Sequence, residues 1–253
     1  MNSSLVKVKL LRDEPYAQVI SYPNLDVEDL EKRISELNGL NIEGLIFEGS
    51  LRLGSLNLLG KGSESLVMKA QVRGEVYALK IRRTDSSRMN MTAEAKALSL
   101  ANQVNVGPRL IGFSENLILM QSVFDVSLAD WIRNLTGKGS VAKLRKNVTQ
   151  LLLQCRSLDK AGLDHGELSN LLKHVFVDDM ISIIDFESSS VTRRVRNVSS
   201  AVQWLFIGGP FSNKVRRFLR IPDIEVIKLV TKKYKVNMTN SSFGDLLDCL
   251  NLY

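Results

Sequence analysis

An α+β fold is predicted by three features of this 253-residue sequence. Leu53 to Ile81 is dense in short apolar runs separated by glycine turns, the pattern of antiparallel strands. Beyond Val123 the apolar period becomes that of helices. It is clearest over Val141–Lys160, where Leu144, Val148, Leu151 and Leu152 share one face. The change is concentrated at Gln121–Phe124, so a β-rich front and an α-rich back are expected on either side of a hinge.

Each element has its own signal. Val6 to Ile20 alternates loosely and reads as one or two strands. Asp26 is a helix N-cap, and Val27, Leu30, Ile34 and Leu37 follow at spacings of 3, 4 and 3, one helical face closed by Asn38-Gly39. Leu45-Ile46-Phe47 is a short strand. Gly54–Gly60, Leu66–Ala70 and Glu75–Ile81 form an antiparallel meander that turns at Arg73-Gly74. A helix over about Arg88–Gln103 keeps Met91, Leu98 and Ala101 on its apolar side until Gly107-Pro108 breaks it. Strands near Leu110–Phe113 and Leu117–Gln121 complete a five-stranded β layer with one helix. In the rear half, Leu128–Ile132 and Val141–Lys160 are helices and Val175–Val177 and Ile181–Ile184 short strands. Asn197–Phe206, Asn213–Leu219, Asp223–Tyr234 and Ser242–Leu250 are helices again.

Composition narrows the class. An apolar fraction of 44% and a charged fraction of 24% are those of an ordinary globular chain, which excludes disorder as the main state. No run of about 18 apolar residues predicts a membrane span, and the N-terminus has no uninterrupted apolar core of a signal peptide. Cys155 and Cys249 are the only cysteines and both sit in helix-like apolar settings, so no disulfide framework and a cytoplasmic location are expected. The net charge of +7 favours anionic partners such as nucleotides, nucleic acid or acidic proteins without choosing among them.

Three clusters carry chemistry. Gly60-Lys61-Gly62-Ser63-Glu64-Ser65 lies between two strands, so it is neither a Walker A loop nor a dinucleotide fingerprint, which both open a helix. A glycine hairpin in that setting can fold over phosphates, because glycine lets backbone N–H groups approach closely. Lys80 ends a strand and Glu94 lies 14 residues on, in the following helix. A lysine held against a glutamate stays charged and fixed, and can clamp nucleotide phosphates. Both histidines of the chain, His165 and His174, fall in the polar segment Asp164–His174. Eleven residues later Asp185 ends an apolar strand in Asp185-Phe186-Glu187, a good place for a metal.

Glycine hairpin, strand lysine, helix glutamate, hinge, His165-Gly166-Glu167 and Asp185-Phe186-Glu187 stand in an order that resembles the protein-kinase signature set. The resemblance is closest to the small atypical RIO-type kinases and to a group of predicted archaeal serine/threonine kinases. It covers about Leu53 to Phe206. It implies a two-lobed protein-kinase-like fold: a small antiparallel β lobe with one helix, and a reduced α-helical C-lobe. The corresponding division is a β/α extension over 1–50, an N-lobe over 51–122 and a C-lobe over 123–253. The extension would dock on the β lobe, recruit a partner or cover an exposed sheet edge.

The resemblance also implies roles. Gly60 and Gly62, with Ser65 where a third glycine would stand, would cover the phosphates of ATP. Val67 would pack on adenine, Met120 would stand behind it, and the backbone of Gln121 to Val123 would bond its edge. Lys80 would hold the α- and β-phosphates and pair with Glu94. Asp185 would hold Mg²⁺, and Glu167 would take the place of the catalytic aspartate and accept the proton of a Ser/Thr hydroxyl. His165 would pack inward beneath Asp185, while Asp164 would cap the end of the long helix.

Departures from the family are specific. Glu167 is one methylene longer than aspartate, and a displacement of about 1 Å can cost on the order of 10²-fold in rate. The second metal ligand, an asparagine in the family, falls to Asn170 or to His174, of which His174 is favoured because it leads directly into Val175–Val177. Imidazole is a poorer ligand for Mg²⁺ than oxygen, so Mn²⁺ is an alternative. Ser188–Arg196 is the whole link to the next helix, which leaves no room for a long activation segment.

Four functions follow: an active serine/threonine kinase, a pseudokinase or nucleotide switch, a small-molecule phosphotransferase of the aminoglycoside-kinase type, and an RNA- or ribosome-associated ATPase. The last draws on the rear basic groups: Arg193, Arg194 and Arg196, then Lys214 to Arg220, then Lys228 to Lys235. Solvated helix faces are the weightier reading of those groups.

Overall fold

A computed structural model describes residues 5–123, 126–177, 180–221 and 223–253; Phe124, the last residue of the expected hinge, lies outside the described residues. The fold is α+β, with antiparallel sheets. It divides into two compact units, residues 1–99 with 108–123, and 100–107 with 124–253.

A seven-stranded antiparallel sheet organises the first unit. Its order is Val6–Lys7, Gly44–Ile46, Ser65–Val72, Glu75–Arg82, Leu117–Met120, Leu110–Phe113, with Gly60–Lys61 also paired to Ser65–Val72. Four of the five expected strands lie in this sheet, and Gly60–Lys61, Val6–Lys7 and Gly44–Ile46 make up its seven. Leu51–Leu53 and Leu56–Leu58 pair as a separate hairpin. The stretch read as one or two strands, Val6 to Ile20, is strand only at Val6–Lys7; Tyr16–Ile20 is α-helix. Its first turn forms where the Asp13 carbonyl accepts the N–H groups of Tyr16 and Ala17, and it buries Ala17, Val19 and Ile20.

The two faces of this sheet differ in use. Directly opposed residues share a face, as do residues two apart on one strand. Leu66, Met68, Ala70, Leu79, Ile81, Leu117 and Leu119 are on one face, all buried in a core with Leu30, Ile34 and Leu37 of helix Val27–Gly39. On the other face Val67, Lys80 and Ile118 stand in one row, and Lys69, Ala78 and Met120 in the next. The first fifty residues therefore cover the face opposite Lys80.

Helix Val27–Gly39 starts where Asp26 Oδ1 accepts the Asp29 N–H at 2.8 Å. Val27, read as part of its apolar face, is 73% exposed, since the first turn overhangs the core. Arg33 is buried instead, with Nε donating to Asp29 and Nη1 to the carbonyls of Ile20 and Arg82. The guanidinium thus ties helix, preceding turn and sheet together.

Helix Ser140–Lys160 is the spine of the second unit, burying Leu144, Val148, Leu151, Leu152, Cys155 and Leu158. Against it pack Asn197–Val202, Ser212–Leu219 and the strand Ile181–Ile183. Val126–Ser127, Val175–Val177 and Ile181–Ile183 make a three-stranded antiparallel sheet. The helix expected over Asn197–Phe206 is α-helical only to Val202 and continues as a π-helix over Gln203–Gly208. Gly209 follows it, where a Cβ would stand 2.0 Å from the Trp204 carbonyl oxygen. Both cysteines are free, and no helix among the described residues is long and apolar enough to cross a membrane.

Truncating Ile34, which is 1% exposed, should cost the folded state about 2–5 kcal/mol if residues 1–50 are part of the core and not an appendage. Urea unfolding of Ile34→Ala checks this; a change under about 0.5 kcal/mol, the range of surface substitutions, contradicts it.

Candidate functional site

In the first unit, strand Glu75–Arg82 places Lys80 on the sheet face that the N-terminal helices leave uncovered. The ammonium is buried and donates to Glu94 Oε1 of helix Thr92–Gln103 at 2.7 Å. Both side chains are less than a tenth exposed. An ion pair so desolvated holds its geometry, because separating the charges leaves one of them unpaired in an apolar setting. Helix Thr92–Gln103 begins later than the expected Arg88, after Asn90 Oδ1 accepts the Thr92 N–H at 3.0 Å.

The residues flanking Lys80 are apolar, with Lys69 one row along. Val67 lies across from it on one neighbouring strand and Ile118 on the other, while Ala78 and Met120 face each other one row along. Val67 also opposes Gly60. The hairpin closes by the Gly62 N–H donating to the Ser65 carbonyl at 2.8 Å, and Ser65 is buried. Neither Gly60 nor Gly62 needs to be glycine for the fold. Neither has a positive φ, and an added Cβ would meet nothing nearer than 3.6 Å. At the expected hinge, the Gln121 N–H donates to the Arg109 carbonyl at 2.8 Å, so that amide is already engaged within the sheet. Ser122 Oγ donates to the Val76 carbonyl, and Val123 closes this stretch of described chain.

The second unit gathers the remaining groups. After helix Ser140–Lys160 the chain turns at Gly162 and enters the loop 164–170. His165 is fully buried, its ring against Phe186 with centroids 4.9 Å apart. Its Nε2 donates to the Ile184 carbonyl at 3.0 Å, and Nδ1 faces the Glu167 N–H at 3.4 Å. Burial pushes the imidazole down to about 4, against the opposing effect of the Ile184 hydrogen bond, so His165 is a neutral brace beneath Asp185.

Gly166 is required. Its φ is +94°, and a Cβ would stand 2.6 Å from the Ser188 carbonyl oxygen. The close approach puts Glu167 beside the 3₁₀ turn Phe186–Ser188, where its Oε1 accepts from Ser188 Oγ at 3.0 Å. Its other oxygen, Oε2, is 3.2 Å from His174 Nε2. His174 ends the short helix Leu171–His174, and its Nδ1 is 3.7 Å from Asp185 Oδ2. Glu167, His174 and Asp185 thus each offer an atom within 4.8 Å of the others, a group of metal-ligating donors. Asp185 itself has φ +71° and ψ +73°, a left-handed conformation uncommon outside glycine and costing of order 1–3 kcal/mol. Asn170 is occupied otherwise: its Oδ1 accepts the Leu172 N–H at 3.2 Å and caps the short helix.

Asp164 does not cap the long helix. Its buried carboxylate accepts the Arg196 N–H at 3.0 Å and pairs with Arg193 Nε, while its backbone pairs with Ser190 in both directions. It therefore pins the 188–196 link at the entrance of the next helix. One turn earlier on the long helix, Asp159 accepts the N–H groups of Asn197 and Val198, satisfying the first donors of helix Asn197–Val202. Asn197 Oδ1 in turn accepts the His165 N–H at 2.9 Å, and Tyr234 donates to Asp159 at 2.7 Å. Burial raises the Asp159 carboxyl above the usual range although these hydrogen bonds favour its ionised form. Sequence reasoning missed Asp159, Asn197, Tyr234 and Ser188, since no spacing or motif links residues so far apart.

Several rear basic groups hold main-chain carbonyls: Lys214 that of Arg133, Arg194 that of Lys235, and Arg216 that of Phe206. Exposed Arg217 and Arg220 line an open pocket with Arg216 and Ile221.

The two glycine sites should separate on mutation. Gly166→Ala should destabilise the chain by about 3 kcal/mol or more, through left-handed strain plus a backbone clash. Gly62→Ala should change stability by no more than about 0.5 kcal/mol. Thermal melts of the two variants test this, and equal losses would contradict it.

No protein-family model matches the chain. An archaeal relative, the uncharacterized protein MJ1211 of Methanocaldococcus jannaschii, is 28% identical over 95 residues, 37% of this chain and 82% of that protein.

Proposed function

We propose that the chain is an ATP-dependent phosphotransferase, a serine/threonine protein kinase of the atypical RIO-like type with a two-lobed kinase-like fold. The observation that carries this reading is the buried Lys80–Glu94 pair, with Val67 opposite Lys80 and the glycine hairpin paired to Val67. A fixed ammonium flanked by apolar side chains suits a triphosphate attached to a purine. Glycines that the fold itself does not require suit a hairpin whose backbone must approach phosphate oxygens.

The second unit supports the same chemistry. Glu167, His174 and Asp185 offer one nitrogen and two carboxylate oxygens within 4.8 Å of one another, and the buried His174 Nδ1 has no hydrogen-bond partner. That donor set fits a divalent cation, Mg²⁺ or Mn²⁺, which when bound would neutralise phosphate charge. Lys80 would donate to the phosphate oxygens. Glu167 would accept the proton of the attacking hydroxyl, and His165 holds that loop from beneath. Neutral His165 adds no competing charge there. The protein substrate is left open, and an RNA or ribosomal particle is the partner class suited to the exposed Arg217 and Arg220.

A second reading, a nucleotide switch with little transfer, is favoured by one observation: both Glu167 oxygens face side chains of the protein, Ser188 and His174. Incubation with γ-labelled ATP and Mg²⁺ or Mn²⁺ separates the two. The kinase reading expects label on protein hydroxyls, a loss of roughly 10²- to 10⁴-fold in Glu167→Gln, and unchanged ATP affinity in that variant. Asp185→Asn should lose both transfer and metal-dependent binding. Full transfer by Glu167→Gln contradicts the assigned base, and ATP binding without transfer by the wild type selects the switch.

A further inference from the structure

His174 occupies an unusual position. Its side chain is 8% exposed, and its two nitrogens face two different carboxylates, Nε2 toward Glu167 at 3.2 Å and Nδ1 toward Asp185 at 3.7 Å. The Nε2 contact is at hydrogen-bond distance, so Glu167 favours the tautomer with its proton on Nε2. Nδ1 is then a bare lone pair. It is buried, has no hydrogen-bond partner, and is aimed at a carboxylate oxygen that is also an acceptor. Two acceptors face each other favourably only with a proton or a metal cation between them.

The spacing fits a metal. Donors about 2.1 Å from a shared cation stand roughly 3.0–3.6 Å apart at angles between about 90° and 120°. The observed 3.7 Å is close to that range and too long for a hydrogen bond. Asp185 is held there in its left-handed conformation, and the partial exposure of Glu167 and Asp185 leaves a path for an ion.

We propose that His174 Nδ1 and the Asp185 carboxylate form a site for a divalent transition metal, with Mn²⁺ bound in preference to Mg²⁺, and that Glu167 is the residue that orients the imidazole. Imidazole nitrogen suits the first-row transition metals, whereas Mg²⁺ demands oxygen. A carboxylate on the far ring nitrogen fixes the tautomer and raises the basicity of the ligating one. This deepens the phosphotransferase reading by naming its metal, but it rests on the triad alone.

Metal binding to the full chain without nucleotide tests it. Calorimetric titration should show Mn²⁺ bound more tightly than Mg²⁺, and pulsed electron paramagnetic resonance of bound Mn²⁺ should show coupling to an imidazole nitrogen. The assignment is unambiguous, because the chain has only two histidines and the other, His165, is fully buried with Nε2 bonded to a carbonyl. His174→Asn should abolish the nitrogen coupling and remove the preference for Mn²⁺. Glu167→Ala should keep the coupling but weaken Mn²⁺ roughly 10- to 100-fold. Circular dichroism of each variant controls for folding, and Asp185→Asn, which retains the histidine, should lose affinity independently. Bound Mn²⁺ without nitrogen coupling, or equal affinity for the two metals, overturns the proposal. ATP binding with an oxygen-only metal site would leave the phosphotransferase reading intact while refuting this one; the nitrogen signature without any ATP binding would do the reverse.

Discussion

An ammonium ion buried on the face of a β-sheet is tolerable only with a carboxylate held against it. That requirement shapes the first unit. Lys80 is centrally placed in the sheet, so a helix must bring Glu94 to the same face, and the residues around the pair must stay small enough to admit it. The opposite face is covered mainly by apolar side chains from the first fifty residues, with the buried Arg33 bonded at its margin. One sheet thus packs a core on one side and holds a buried ion pair on the other, and alternation along each strand is what separates them.

The second unit meets a different constraint, the placement of a loop through its backbone. Gly166 lets the chain pass within contact distance of Ser188, and no larger residue fits. His165 anchors the loop from inside by bonding the carbonyl that precedes Asp185. Asn197 holds the His165 amide, Asp159 holds Asn197, and Tyr234 donates to Asp159. Arg156 closes this chain by donating to the Tyr234 hydroxyl while lying over its ring. Groups from four separate stretches therefore fix a few loop residues, the kind of support that holds a reactive site to the required fraction of an ångström.

Much of this was legible in the sequence wherever local pattern and tertiary packing agree. The helix Val27–Gly39 begins at the Asp26 cap, the long helix Ser140–Lys160 follows its apolar stripe, and the lysine and glutamate at 14-residue spacing do meet. Local pattern failed where a long-range partner decides the outcome. Val6–Ile20 alternates like a strand, but its second half folds as helix because its apolar residues meet the core that way. Val27 obeys the helical period yet overhangs solvent, while Arg33 is buried by carbonyls that only the folded sheet supplies. Asp164 looked like a cap for the helix before it and instead serves the link ahead of the next one. The sequence left the second ligand open between Asn170 and His174; the fold sets His174 beside Glu167 and Asp185 and uses Asn170 Oδ1 as a cap.

The central claim is that the Lys80 face binds a nucleotide triphosphate. Thermal melting of the full chain with saturating ATP and either Mg²⁺ or Mn²⁺ measures it most directly, because a ligand bound only by the folded state stabilises it by about 2.7 kcal/mol at a hundredfold excess over Kd. The account predicts a rise in melting temperature for the wild type and a much smaller one for Lys80→Met, which keeps the length of the side chain and loses its charge. An ATP-independent melting temperature with both metals, or an undiminished rise in Lys80→Met, would contradict it.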